Sequence, residues 1–219
     1  CRMIDRRDPT RPAFWYMSFN HPHPPMAPLR DYWDLYEDVE IPMPVRGDWT
    51  EDFDAMPWAL KMRADKWRPG AMTETEIRHA RRAFYALITH IDHQIRLVIG
   101  LLREQGLLEN TIIGFTCDHG DMLGNHGLFA KAVMYDEAAK VPLILIPTAQ
   151  YAELGHRRTD DRLAALRDLM PTLLEMAGVP MPETVEGRSL LARSGASCGT
   201  PSIMRTRARR EWCGTSASS

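Results

Sequence analysis

The stretch Cys117–Lys131, CDHGDMLGNHGLFAK, limits what this chain can fold into more than any other segment. It follows the apolar run Ile112-Ile113-Gly114-Phe115 and packs Asp118, His119, Asp121, His126 and Lys131 among Gly120, Gly124 and Gly127. An apolar core has no use for acid, imidazole and ammonium groups side by side, so the segment reads as a site at a strand end. Asp118 and His119 offer one carboxylate and one imidazole as adjacent metal donors. Ca²⁺ or Mg²⁺ prefers oxygen, whereas Mn²⁺ or Zn²⁺ accepts the mixed pair more readily. Two donors do not complete a shell, and the chain offers no second acidic pair at a strand end. The glycines permit the turns of a wrapping loop. Lys131 then offers positive charge to an anionic substrate, and His23 a proton to a leaving group.

Read in order, the rest of the chain supplies a scaffold. Residues 13–19, AFWYMSF, are aromatic-rich and bounded by Pro12 and Asn20, which predicts a buried strand. His21-Pro22-His23-Pro24-Pro25 follows, a stiff extended segment in which the two imidazoles point the same way. Residues 26–72, with five prolines, predict an ordered excursion rather than a regular element. Thr73-Glu74-Thr75-Glu76 is a capping-box pattern opening a helix whose apolar stripe is Ile77, Phe84, Ile88, Ile91, Ile95, Val98 and Leu102, with Gly106 as the stop. His90, Asp92 and His93 on that helix are expected to be solvated or capping and receive no chemistry. Strands are predicted at 111–116 and 141–146. A further helix carries Leu169, Leu173 and Met176, capped by Asp168, with Pro171 in its first turn and Gly178 and Pro180 at its end.

This alternation predicts an α/β fold with a mainly parallel sheet flanked by helices. Ligands of such sheets gather beyond the carboxyl ends of strands, where His21/His23 and Asp118/His119 both fall. Beyond residue 191 the chain turns rich in Ser, Gly, Thr and Arg, so 192–219 is expected to be a disordered or non-native tail after a domain at 1–191.

Bulk properties narrow the partners. A formal net charge of -2 gives no reason to expect nucleic acid or an anionic membrane. No apolar run approaches the roughly 20 residues of a membrane helix. Cys1, Cys117, Cys198 and Cys213 show no C-x-x-C spacing, which argues against a zinc ribbon or a disulfide framework. The compartment stays open between cytoplasmic and periplasmic or secreted, and the oligomeric state is unreadable. A chain opening on Cys1 rather than Met reads as a fragment whose targeting segment could lie outside it.

The run D-H-G-D-x-L-G-x-H-G-L-x-x-K at Asp118–Lys131, followed by Met134-Tyr135-Asp136-Glu137 and Val141-Pro142-Leu143-Ile144, resembles the second half of the type I sulfatases of the alkaline phosphatase superfamily. In order, Ser18-Phe19 with His21–Pro25, Tyr85-Ala86 through Ile91-Asp92, Asp168–Leu174 and Val185–Leu190 extend the likeness over about residues 10–191. The resemblance implies a truncated alkaline-phosphatase-like catalytic domain and an enzyme acting on ester bonds, a hydrolase of small-molecule or saccharide sulfate esters. It implies Asp118 and His119 as ligands of a divalent cation, usually calcium, with Mn²⁺ or Mg²⁺ as alternatives. It implies Lys131 as a sulfate contact and His23 as a sulfate contact or proton donor. His126 lies in the matching loop, either touching substrate or making a structural hydrogen bond.

The family's nucleophile is a formylglycine made within a C-x-P/A-x-R motif, and none of the four cysteines sits in one. The chain alone is therefore expected to turn over little. His119, where many sulfatases have Asn, keeps a second reading in view: a phosphonate monoester hydrolase or phosphodiesterase of the same superfamily. A third is a non-catalytic remnant.

Overall fold

The computed structural model describes residues 2–47, 52, 54–67, 72–149, 151, 159–160, 163–191 and 204–209. In chain order the helices and strands are α1 (Arg2–Asp5), α2 (Arg30–Asp34), α3 (Trp58–Trp67), α4 (Glu74–Glu104), β1 (Ile113–Thr116), α5 (Asp136–Ala139), β2 (Lys140–Ile146), β3 (Ala164–Ala165), α6 (Leu169–Met176) and β4 (Met204–Arg209). The chain divides into two units, residues 1–55, 68–109 and 123–128 in the first, and 56–67, 110–122 and 129–219 in the second.

The first unit is built on α4. Its N-terminus closes as a capping box: the Glu76 amide donates to the Thr73 hydroxyl at 3.3 Å, and the Thr73 amide to the Glu76 carboxylate at 2.7 Å. Its C-terminus closes as a Schellman motif on Gly106 (φ +65°), with Gly106 N donating to Arg103 O and Leu107 N to Leu102 O. The buried face comprises Ile77, Arg81, Ala83, Ala86, Leu87 and Leu102. Ile88, expected on the stripe, is 44% exposed instead. The buried stripe is turned toward the small residues Ala83 and Ala86, which permit close packing.

Helix α2 packs on α4 through ring contacts. The Arg82 guanidinium lies 4.3 Å from the Trp33 ring centroid and donates to Trp33 O. The Tyr32 ring stacks on His90 at 4.6 Å, and its hydroxyl lies 3.1 Å from His93 Nδ1. His90 and His93 therefore hold α2 against α4 rather than standing in solvent.

In this same unit residues 13–19 form no strand, and Phe14 and Tyr16 are 79% and 81% exposed. Aromatic residues favour a strand only where a neighbouring edge pairs with them, and no described residue does so here. The expected strand end at His21/His23 is accordingly a loop.

The second unit holds a four-stranded sheet in the order β1-β2-β4-β3. β1 pairs antiparallel with β2 (Ile113 opposite Ile146, Thr116 opposite Leu143), β2 antiparallel with β4, and β3 parallel with β4. The expected mainly parallel sheet is thus corrected among the described strands. Parallel neighbours need a crossover element, whereas only the short α5 precedes β2, and the chain doubles back. Within the tail that composition marks as irregular, Met204–Arg209 supplies β4; its other residues lie outside those described. The sheet buries Val141, Leu143, Leu145 and Ala164 with Leu190, and Leu169 and Leu173 of α6 pack against them. Full burial of each of Val141, Leu143, Leu145 and Leu190 contributes about 1.5–3 kcal/mol.

Two of the segments that carry the family likeness meet here for structural reasons. Asp168 does not cap α6 with its side chain. It is buried, and its carboxylate accepts from Ala165 N at 3.0 Å and Arg188 N at 2.9 Å. The Thr172 hydroxyl donates to Asp168 O at 2.6 Å and accepts from Leu190 N at 2.9 Å. A Cβ at Gly187 would stand 2.0 Å from Arg167 O, so only glycine fits against that carbonyl. No helix of the described residues is long and apolar enough to cross a membrane.

Candidate functional site

Asp118 and His119 sit directly after β1, and the structure brings their side chains together. The backbone there is fixed from below. Gly120 N donates to Ala138 O at 2.9 Å, and a Cβ on Gly120 would meet Glu137 O at 1.9 Å. Glycine is what lets this turn lie on α5. The neck of the loop is tied by Met122 N donating to Ala130 O at 2.8 Å and by Ala130 N donating to the Asp121 carboxylate at 3.2 Å. Asp121 thus shapes the loop.

His119 Nδ1 lies 2.8 Å from Gly120 O. A carbonyl only accepts, so Nδ1 carries a proton and Nε2 is the nitrogen left to face outward. Nε2 in turn lies 3.3 Å from Asp118 Oδ2. A lone pair facing a carboxylate oxygen is repulsive unless a proton or a cation stands with them. An imidazole whose far nitrogen donates to a backbone carbonyl is also the usual arrangement of a metal-ligating histidine. The Asp118 side chain is 84% exposed and that of His119 21%, so the pair opens outward. The donor set therefore fits a divalent cation in part. Among the described residues no group of three or more His, Cys, Asp or Glu could hold one. Burial, reinforced by the Asp118 charge, pushes the neighbouring Cys117 thiol up, and its side chain packs against the buried core of the sheet.

Lys131 is half-buried in the same unit as Asp118 and His119. His23 and His126 belong to the other unit. His23 is exposed, and its Nδ1 donates to Pro24 O at 2.9 Å, which leaves Nε2 uncommitted to that contact. His126 sits in a short 3₁₀ turn, Asn125–Gly127, at φ +54°. That turn is pinned to the 26–47 excursion: His126 N donates to Val45 O at 2.7 Å, and Val45 N donates to the Asn125 side-chain oxygen at 2.8 Å. Sequence reasoning missed Asn125, Val45 and Arg81, whose guanidinium donates to Leu123 O at 2.8 Å. A polar side chain in the glycine-rich turn was the sole available signal, and only for Asn125.

Comparison with known proteins decides the family. The profile described as Sulfatase matches residues 2–179. The chain belongs to the sulfatase family. The sulfatase chain is 40% identical over 187 residues to an arylsulfatase of Clostridium perfringens, covering 85% of this chain and 38% of that protein. Among solved structures it is similar to a phosphonate monoester hydrolase from Silicibacter pomeroyi, with a TM-score of 0.68 and 31% identity over 78% of this chain and 35% of that one. A phosphonate monoester hydrolase of Agrobacterium radiobacter superposes with a TM-score of 0.79 at 24% identity, covering 91% of this chain and 41% of that one, which speaks to the fold alone. The sulfatase chain spans well under half the length of each of these relatives.

Proposed function

We propose that this chain serves the hydrolysis of sulfate esters of small molecules or saccharides. The observation that carries this reading is the His119 ring geometry: Nδ1 is held by Gly120 O and Nε2 is placed beside the Asp118 carboxylate. These two residues would hold part of the shell of a divalent cation, with calcium as first choice and Mn²⁺ or Mg²⁺ as alternatives. Such an ion supplies positive charge to an ester oxygen and lowers the cost of charge building there. Lys131 adds a further cation for a sulfate oxygen. His23, once protonated, has its Nε2–H free to pass to the departing oxygen, because Nδ1 is already committed to Pro24 O. His126 is assigned a substrate contact. The roles of His23, Lys131 and His126 come from their places in the family pattern. A formylglycine is expected in the intact enzyme, but none of this chain's cysteines lies in the motif that yields one.

A calcium titration of the chain followed by calorimetry tests the metal assignment. Binding is expected, weakened at least tenfold by Asp118→Asn and by His119→Ala; wild-type affinity in both variants would overturn it. The chain itself is expected to hydrolyse p-nitrophenyl sulfate at background rate, and turnover abolished by Lys131→Ala would show that expectation wrong. A second reading, cleavage of phosphonate monoesters or phosphodiesters, is favoured by His119 and by the likeness to the Silicibacter pomeroyi hydrolase. Assaying aryl sulfate against phosphonate and phosphodiester substrates on a full-length version separates the two.

A further inference from the structure

We infer that Arg81 is a positioning residue for His126, acting through the turn that carries it. Arg81 lies on α4 and is 8% exposed. Among the described ion pairs none includes it, and its Nε has no hydrogen-bond partner among the described residues. A guanidinium buried without a carboxylate is costly, so its place must rest on the contacts it does make. Among the described residues there are two: Nη1 donates to Leu123 O at 2.8 Å, and Nη2 to the Tyr85 hydroxyl at 3.3 Å. Tyr85 is one helical turn further along α4, so it holds the planar fork toward the loop.

The carbonyl that Arg81 grips begins a strained turn. Leu123 has φ +45°, Gly124 φ +87°, His126 φ +54° and Gly127 φ +70°. Left-handed backbone costs a non-glycine residue about 1–2 kcal/mol, and such strain persists only where surrounding bonds over-determine it. Those bonds include Gly124 N to Leu128 O at 2.8 Å, Gly127 N to Gly124 O and Leu128 N to Asn125 O at 3.0 Å, His126 N to Val45 O at 2.7 Å, Val45 N to the Asn125 side chain at 2.8 Å, and the Arg81 contact at the entrance. A charge-assisted bond to Leu123 O fixes the peptide plane from which Gly124 and then His126 take their direction. The geometry therefore makes the imidazole's orientation depend on a buried cation of α4.

This inference rests on reading His126 as a substrate contact, but its test does not need turnover. The imidazole resonances of His126 and the hydrogen exchange of the Gly124 amide are followed by NMR in the 219-residue chain. Arg81→Gln is expected to move the His126 resonances and to speed Gly124 exchange at least tenfold. Arg81→Lys is expected to restore part of both, because one ammonium cannot hold Leu123 O and Tyr85 together. Tyr85→Phe moves His126 in the same direction by less. Arg82→Gln, which removes the same charge from α4 but loses a bond to Trp33 O, is expected to leave His126 in place. Wild-type His126 signals and Gly124 exchange in Arg81→Gln would overturn the inference, as would an equal displacement in Arg82→Gln. Should Arg81→Gln not fold, unmoved signals in both Arg81→Lys and Tyr85→Phe would overturn it. A calcium titration that fails leaves this result standing, so the two readings fail separately.

Discussion

Replacing Thr172 separates hydrogen bonding from packing at the joint between α6 and the segment ending at Leu190. Thr172 is fully buried, and its hydroxyl both donates to Asp168 O at 2.6 Å and accepts from Leu190 N at 2.9 Å. Valine fills nearly the same volume, so Thr172→Val removes both bonds without opening a cavity. The Leu190 amide is then buried without a partner, at about 1–3 kcal/mol, and the lost bond to Asp168 O adds about 1 kcal/mol. The gain from a more apolar side chain offsets less than about 1 kcal/mol of this. The net loss lies within about 1–4 kcal/mol, and its centre of about 2–3 kcal/mol corresponds to about 4–12 °C in melting temperature for a chain of this length. Thr172→Ser keeps both bonds and loses one methyl group, at about 1 kcal/mol. The expected order is wild type, then Ser, then Val, although Val is the most apolar of the three. Urea denaturation followed by circular dichroism and tryptophan fluorescence reads the midpoints at an unchanged slope. A Val variant as stable as the Ser variant would refute the reasoning, because the hydroxyl would then not be joining the two segments.

Three further outcomes bear on the site. Gly120→Ala drives a Cβ to within 1.9 Å of Glu137 O and strains the Gly120–Ala138 bond, so it is expected to cost about 2–4 kcal/mol in the same urea assay; a loss under about 1 kcal/mol would mean that the turn does not rest on α5. At Ala132, where φ is +76°, the reverse exchange Ala132→Gly is expected to be neutral or mildly stabilising, because relief of left-handed strain offsets the added chain entropy. Cys117, raised above the ordinary thiol range by burial first and the Asp118 charge second, holds less thiolate at pH 8 than an unfolded cysteine. Mass-mapped iodoacetamide labelling at pH 8 is therefore expected to modify Cys117 more slowly in the folded chain than in urea, and equal rates would contradict it.

Local rules reached as far as local causes do. The capping box at Thr73 and Glu76, the Gly106 stop and the Gly178 stop each depend on residues within one turn, and each forms as the spacing predicts. Asp168 shows where that reach ends. Its place before a helix reads as a cap, yet its carboxylate serves Ala165 and Arg188, the latter 20 residues on. Nothing in the neighbouring residues announces that partner. The same holds for the sheet: an apolar run fixes that a strand forms, while its direction depends on where the intervening chain goes. Residues 13–19 show the converse, since aromatic content without a neighbouring edge leaves Phe14 and Tyr16 in solvent. Met204–Arg209 alternates arginine with uncharged residues, a period of two that a reading by composition passes over.

At the site, the donors were legible and their support was not. Asp118 and His119 are adjacent in sequence, so their juxtaposition needs no fold at all. What the fold adds is the proton's location, because Gly120 O holds Nδ1–H and turns Nε2 toward the carboxylate. That depends on Gly120 lying against Glu137 and Ala138, a contact no spacing rule foretells. The glycines of the loop announce turns, but Leu123, His126, Ala130 and Ala132 take positive φ as well, against their intrinsic preference. A loop that departs from local preference at four such positions needs more than local bonds: Asp121 closes its neck on Ala130, and the long-range bonds come from Val45 and Arg81. Its conformation is therefore a property of the folded units, which is why residues distant in sequence govern groups that the motif alone had singled out.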